Sequence, residues 1–215
     1  MQERLHSASL RIRKGLPTGI RRSVRLLRHL FKPGQPSGEI PPELLTDCGV
    51  CASRHDLITK LPHGGVIAEV GTDRGAFAKR ILSTCKPAEL HIIDLDFSRT
   101  DAEVCRHPNV TTHRGASHKV LQSFPDAYFD WIYIDADHSY VGVKQDALAA
   151  APKVKPGGYL VFNDFAHIDP SLGTYGVHRA VVEFATTNWW SFAWFAYQKN
   201  ALYDVALRCP AKAEV

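Results

Sequence analysis

The sequence predicts a doubly wound, Rossmann-like α/β sheet of seven strands, mostly parallel, with one antiparallel strand contributed by a C-terminal hairpin. Three observations lead there. Short apolar runs at 66–70, 90–94, 110–113, 131–134 and 159–162 alternate with stretches of helical spacing. The first run opens into Gly71-Thr72-Asp73-Arg74-Gly75, a glycine turn of the kind that joins a parallel strand to the next helix. The chain then closes on two runs, 191–197 and 202–207, that flank Lys199-Asn200 and read as a hairpin.

The elements follow in order. Residues 1–38 form an arm and linker, and 39–215 a single domain. In the arm Ile20, Val24, Leu27 and Phe31 recur at helical spacing, widened by Leu26 and Leu30, with Arg21, Arg22, Arg25 and Arg28 on the other side. This basic amphipathic helix can dock on its own domain, lie on anionic lipid, touch RNA, cap the site or pair subunits. Lys32-Pro33-Gly34-Gln35-Pro36-Ser37-Gly38 is a linker by composition. Pro41-Pro42-Glu43 starts a short helical lead-in, and 55–61 reads as the helix before the sheet. Further helices are expected at 76–83, 140–151 and 176–187, and Lys155-Pro156-Gly157-Gly158 as a turn into the fifth strand.

Composition narrows the function classes. Residues 1–32 hold nine Lys/Arg against Glu3 alone, net +8, which leaves −4 for the rest of a chain whose total is +4. The basic character belongs to the arm, which argues against a nucleic-acid-binding body. No apolar run reaches the length of a membrane span, and no secretory signal opens the chain, so a cytoplasmic protein is expected, with peripheral contact through the arm left open. An Arg- and Ser-containing, acid-poor start also mimics an organelle transit peptide. Five scattered cysteines fit a reducing compartment better than a disulfide framework. Cys48-Gly-Val-Cys51 has zinc-like spacing, but no second such pair accompanies it.

The chemistry is concentrated where apolar runs end. Trp131-Ile-Tyr-Ile runs into Asp135-Ala-Asp137-His138, which puts carboxylates and an imidazole at the rim of a sheet, where ligands of open α/β folds sit. Read alone, it is equally a strand followed by a helix cap. Glu69-x-Gly71-x-x-x-Gly75 resembles a ligand turn, yet Asp73 stands where dinucleotide binding needs a second glycine. A carboxylate there repels a pyrophosphate and favours a ligand with a cationic amine. Asp94, about 20 residues on and ending the second strand, is placed to accept from ribose hydroxyls.

At this point residues of about 45–207 resemble the class I S-adenosylmethionine-dependent methyltransferases. The motif Tyr133-Ile134-Asp135-Ala136-Asp137-His138-Ser139-Tyr140-x-Gly142-Val143-x-x-Asp146, with Lys155-Pro156-Gly157-Gly158-Tyr159-Leu160-Val161-Phe162-Asn163-Asp164, is similar to the branch with bacterial macrolide-sugar O-methyltransferases, related to the catechol type. The resemblance implies that Glu69, Gly71, Thr72, Asp73 and Gly75 line the methionine end of S-adenosylmethionine, with Asp135 close by. It implies that Asp94 holds the ribose and that Ala116 and Ser117 flank the adenine. It also implies Mg²⁺ on Asp135, Asn163 and Asp164, and His138 as general base beside Asp135 in the catalytic pair. Asn163 departs from the acid that many relatives carry. The expected activity is methyl transfer to a hydroxyl of a small molecule, a sugar or secondary metabolite. The alternatives are an RNA ribose methyltransferase and a non-catalytic S-adenosylmethionine-binding module docked through the arm; a homo-oligomer is compatible with any of these. His167 is a candidate pocket residue. His178 is expected on an exposed helix face, Tyr140 against the sheet, and Trp189, Trp190, Trp194 and Phe195 in core and hairpin packing.

Overall fold

The computed structural model describes residues 38–166, 168–169, 173–199 and 202–211. The basic arm and His167 lie outside the described residues. In chain order the strands are β1 (Gly49–Cys51), β2 (Val66–Val70), β3 (Glu89–Asp94), β4 (Val110–Arg114), β5 (Phe129–Ile134), β6 (Val154–Phe162), β7 (Ile168–Asp169), β8 (Gly173–Thr174), β9 (Ser191–Tyr197) and β10 (Tyr203–Arg208). The helices are α1 (Arg54–Thr59), α2 (Ala76–Cys85), α3 (Ala102–Cys105), α4 (Ser117–Gln122), α5 (Tyr140–Ala150) and α6 (Val177–Asn188). One sheet takes the order β1-β9-β10-β6-β5-β2-β3-β4. Within it β10 runs antiparallel to both β6 and β9, and the other pairs are parallel. The short β7–β8 pair is a separate antiparallel hairpin.

Side-chain alternation sorts the core onto two faces. Ile67, Leu90, Ile92, Trp131 and Tyr133 pack with Leu57 and Ile58 of α1 and Phe77, Ala78 and Ile81 of α2. Ala68, Val70, Ile93, Ile132 and Ile134 pack on the opposite face with Leu121 of α4, Val143 and Ala147 of α5, and Val181, Phe184 and Ala185 of α6. The central strands are apolar on both faces because helices cover both. Each fully buried aliphatic side chain among them contributes about 1.5–3 kcal/mol.

The doubly wound sheet and its closing hairpin match the expectation, with β9 and β10 paired from Tyr197↔Tyr203 onward. An eighth strand, β1, lies outside β9, pairing Gly49↔Trp194 and Cys51↔Ala196. Of the zinc-like cysteine pair, Cys51 ends this strand and Cys48 directly precedes it. Cys51 is fully buried, and burial pushes its thiol up to about 11. All five cysteines are free. The turn read at 155–158 is an irregularity inside β6, where the register jumps from Phe129↔Val154 to Trp131↔Tyr159. Tyr140 is partly buried and packs against the core cluster of the α4–α6 face. Its hydroxyl donates to Glu183 of α6 at 2.5 Å, and Arg179 lies over its ring, because Gly176 lets the two helix starts approach closely. Trp189 is 62% exposed at the left-handed C-cap of α6, whereas Trp190 is buried. Among the described residues no helix is long and apolar enough to cross a membrane.

Candidate active site

Three backbone bonds extend the strands into the site. Gly71 N–H donates to Ile93 O at 2.8 Å, Asp135 N–H to Val70 O at 2.7 Å and Asn163 N–H to Ile134 O at 3.0 Å. Each chemistry-bearing segment is thus tied to the strand beside it, at the carboxyl end of the sheet. The glycine turn sits directly against Asp135. Gly71 has φ +89, and a Cβ there would come within 2.2 Å of the Asp135 carbonyl oxygen, so only glycine lets the two loops meet. Gly75, at φ +78, begins α2.

Glu69 is almost fully buried on the α1–α2 side and accepts from the Thr72 hydroxyl at 3.1 Å. Burial pushes its carboxyl up to about 8 against that hydrogen bond. Asp73 adopts φ +45, and its N–H donates to Asp94 at 2.9 Å. Its carboxylate turns outward to an ion pair with Arg99 at 3.0 Å, so the side chain read as facing the ligand is engaged at the surface. Asp94 also accepts from Asp96 N–H at 3.3 Å, and each carboxylate oxygen keeps a second lone pair. Ala116 is the N-cap of α4. The Ser117 hydroxyl donates to the buried Asp146 at 2.5 Å, so this side chain is committed to the protein interior.

The other half of the site surrounds His138. Its Nε2 lies 3.6 Å from Asp135 Oδ1, 3.3 Å from Asn163 Oδ1 and 3.6 Å from Asp164 Oδ2. Tyr175 stacks on the ring at 4.7 Å between centroids. The Asn163 amide oxygen can only accept, its N–H₂ being engaged elsewhere, so the 3.3 Å contact places the proton on Nε2. Burial pushes the Asp135 carboxyl well above the usual carboxylate range; Arg54 opposes the shift, and Asp164, Asp204 and Asp73 reinforce it.

Beneath lies a network that sequence reasoning did not reach. Tyr133 O–H donates to Asp204 at 2.6 Å, and the Asn163 amide N–H₂ donates to both Tyr133 Oη and Asp204 at 3.1 Å. Gln198 donates to Asp164 at 3.1 Å and to Asp204. Asp204 is fully buried, and burial raises its carboxyl to about 6. The same cause holds the Tyr133 phenol well above its ordinary value, so it remains a donor. Arg54, also unanticipated, lies 4.0 Å from Asp135 and 5.0 Å over the Phe77 ring. The one available signal was an acid, Asp204, beside the apolar run Val205-Ala206-Leu207 of β10.

This geometry does not support the expectation of Mg²⁺ on Asp135, Asn163 and Asp164. The three oxygens do converge, but the point of convergence is occupied by the His138 nitrogen. The Asn163 amide is further fixed by its two donated bonds. Among the described residues no group of three or more His, Cys, Asp or Glu side chains is arranged to hold a metal ion. These residues do not fit the metal as they stand.

A separate cleft of about 470 Å³ is lined by Val50, Phe165, His178, Phe195, Tyr197 and Tyr203. His178 packs against Phe165 there, with ring centroids 4.5 Å apart and planes tilted by 37°, where an exposed helix face was expected.

Residues 68–165 match the family model of a methyltransferase domain. No curated protein sequence matches the chain. Solved structures of the same fold include an O-methyltransferase family protein from Burkholderia thailandensis, at 13% identity and TM-score 0.57, covering 74% of this chain but only 56% of that one. The N-methyltransferase NodS from Bradyrhizobium japonicum WM9, in complex with S-adenosyl-L-homocysteine, is 18% identical with TM-score 0.55, over 73% of this chain and 86% of that one. A methyltransferase from Methanosarcina mazei is 14% identical with TM-score 0.54, over 73% and 98% respectively. The chain therefore has the class I S-adenosylmethionine-dependent methyltransferase fold. Both O- and N-methylating proteins share this fold, so it leaves the acceptor atom open.

Proposed function

We propose that this chain transfers the methyl group of S-adenosylmethionine to a hydroxyl of a small molecule, such as a sugar or secondary metabolite. One observation carries the reading: His138 Nε2 is surrounded by Asp135, Asn163 and Asp164 at the strand ends, beside the glycine turn. With the proton held on Nε2, Nδ1 is the basic nitrogen, and it makes no hydrogen bond among the described residues. It takes the hydroxyl proton as the oxygen attacks, and the adjacent carboxylates stabilise the resulting imidazolium. Carboxylates behave in the same way behind the histidine of hydrolytic triads.

The donor lies along the other half of the site. Glu69, Gly71, Thr72 and Gly75 border its methionine end, together with the backbone of Asp73. Asp94 accepts from the ribose hydroxyls, and the Ala116–Ser117 backbone borders the adenine. Asp135 lies between donor and acceptor. The methyl group then moves from sulfonium to oxygen by in-line displacement, with the rate gain arising chiefly from orientation.

Turnover of folded variants tests this. His138→Ala and Asp135→Ala each remove most methyl transfer, since a positioned base contributes roughly 10²–10⁴-fold. Wild-type rates in a folded His138→Ala protein would end the base assignment. Label arriving on RNA would favour ribose methylation, and donor binding without transfer to any acceptor would favour the binding module.

A further inference from the structure

The amino-acid end of S-adenosylmethionine is a zwitterion, with an ammonium and a carboxylate beside the sulfonium. The strand ends answer the two positive groups with Glu69, Asp135, Asp164 and Asp204. A ligand carboxylate entering this acidic corner requires a cation, and the corner holds Arg54. This residue opens α1, which is capped by the Ser53 hydroxyl accepting from Asp56 N–H. Its guanidinium lies 5.0 Å over the ring of Phe77, the second residue of α2 and thus of the helix that the glycine turn begins. On its other side Asp135 Oδ2 is 4.0 Å away, and the Asp135 carbonyl is the atom against which Gly71 closes. Guanidinium, glycine turn and helix start therefore share one corner.

Arg54 donates a hydrogen bond to the Tyr133 hydroxyl, which takes up part of its hydrogen-bonding capacity. A guanidinium carries five N–H donors in a planar fork. Among the described residues its only carboxylate partner within ion-pair distance is Asp135, and 4.0 Å exceeds a hydrogen bond. About a third of the side chain, 35%, is exposed. Packing over Phe77 restrains the guanidinium, and the N–H groups not directed at Tyr133 can meet a carboxylate.

We propose that Arg54 clamps the carboxylate of the donor's amino-acid end, a proposal that rests on the S-adenosylmethionine reading of the site. The test is calorimetry on the full chain with two ligands. S-adenosylhomocysteine carries the amino-acid end; 5′-methylthioadenosine keeps adenine, ribose and sulfur but lacks it. Arg54→Gln weakens S-adenosylhomocysteine roughly 10–100-fold, as expected for loss of a charge-assisted pair, while methylthioadenosine affinity is unchanged. Arg54→Lys keeps the charge but not the fork and falls between. Equal losses for both ligands, or none for either, overturn the clamp while leaving the donor reading intact. A wild-type protein that binds neither ligand overturns the donor reading and the clamp with it. Should the variants fail to fold, wild-type protein decides. Decarboxylated S-adenosylhomocysteine, which keeps the ammonium, must bind more weakly than the parent by a similar factor, and equal binding removes the proposal.

Discussion

The Tyr133 hydroxyl donates to Asp204 at 2.6 Å across 71 positions of sequence, joining β5 to the antiparallel β10 beneath the candidate site. Asn163 is held on the same two groups, so the contact fixes the amide whose oxygen faces His138. Tyr133→Phe keeps the ring in the core and removes only the hydroxyl. It leaves Asp204 and Asn163 each short of a partner and costs about 1–3 kcal/mol. Urea unfolding of Tyr133→Phe, Asp204→Asn and the double variant measures this, and the account expects strong coupling between the two positions. Additive losses would show that the contact is incidental.

Asp146 gives a pH dependence with a defined sign. Burial raises its carboxyl from the ordinary 3.8 to about 6, against the bond from Ser117. A carboxyl raised by folding favours the protonated native state. The stabilisation is fully present below about pH 4 and is lost as pH rises through about 6. The contribution is on the order of 2–3 kcal/mol. Asp146→Asn still accepts from Ser117 and cannot ionise, so its stability falls less between pH 5 and pH 8. Denaturation midpoints across that window give the comparison, and parallel curves for variant and wild type contradict it.

Glu69, at about 8, is mostly protonated at neutral pH in the free protein. A ligand bringing an ammonium and a sulfonium beside it favours the ionised form, so its pKa falls and binding releases a proton. The release is greatest where the free protein is protonated and the complex is not, below about pH 8. Calorimetry at pH 7 in buffers of different ionisation enthalpy reads the proton count directly, and Glu69→Gln removes it. Proton uptake on binding would reverse the predicted linkage.

Because the His138 nitrogen occupies the meeting point of Asp135, Asn163 and Asp164, chelation is expected to leave methyl transfer unchanged. Loss of turnover in EDTA, restored by Mg²⁺, would mean that His138 swings aside for a cation.

Legibility in the sequence followed locality. Glu69, Gly71, Asp94 and Asp135 stood out because each sits in or just after an apolar run that could only be a buried strand. The eighth strand did not: three residues are too short to show alternation, and Cys48 and Cys51 drew attention to metal spacing instead. Arg54, Gln198 and Asp204 reach the site from the first helix and the closing hairpin, through contacts that no local pattern encodes. Asp73 and Ser117 were read as facing a ligand because their motif positions are right. Arg99 and Asp146, distant in sequence, engage their side chains elsewhere.

The central claim is met most directly by NMR of the products made from S-adenosylmethionine labelled with ¹³C at the methyl carbon. The protein is incubated with hydroxylated small molecules, and separately with RNA and protein fractions. Carbon shifts distinguish a methyl on oxygen from one on nitrogen. The account predicts a new O-methyl signal in the small-molecule fraction that disappears with His138→Ala; an N-methyl signal, or label only in the macromolecular fractions, would contradict it.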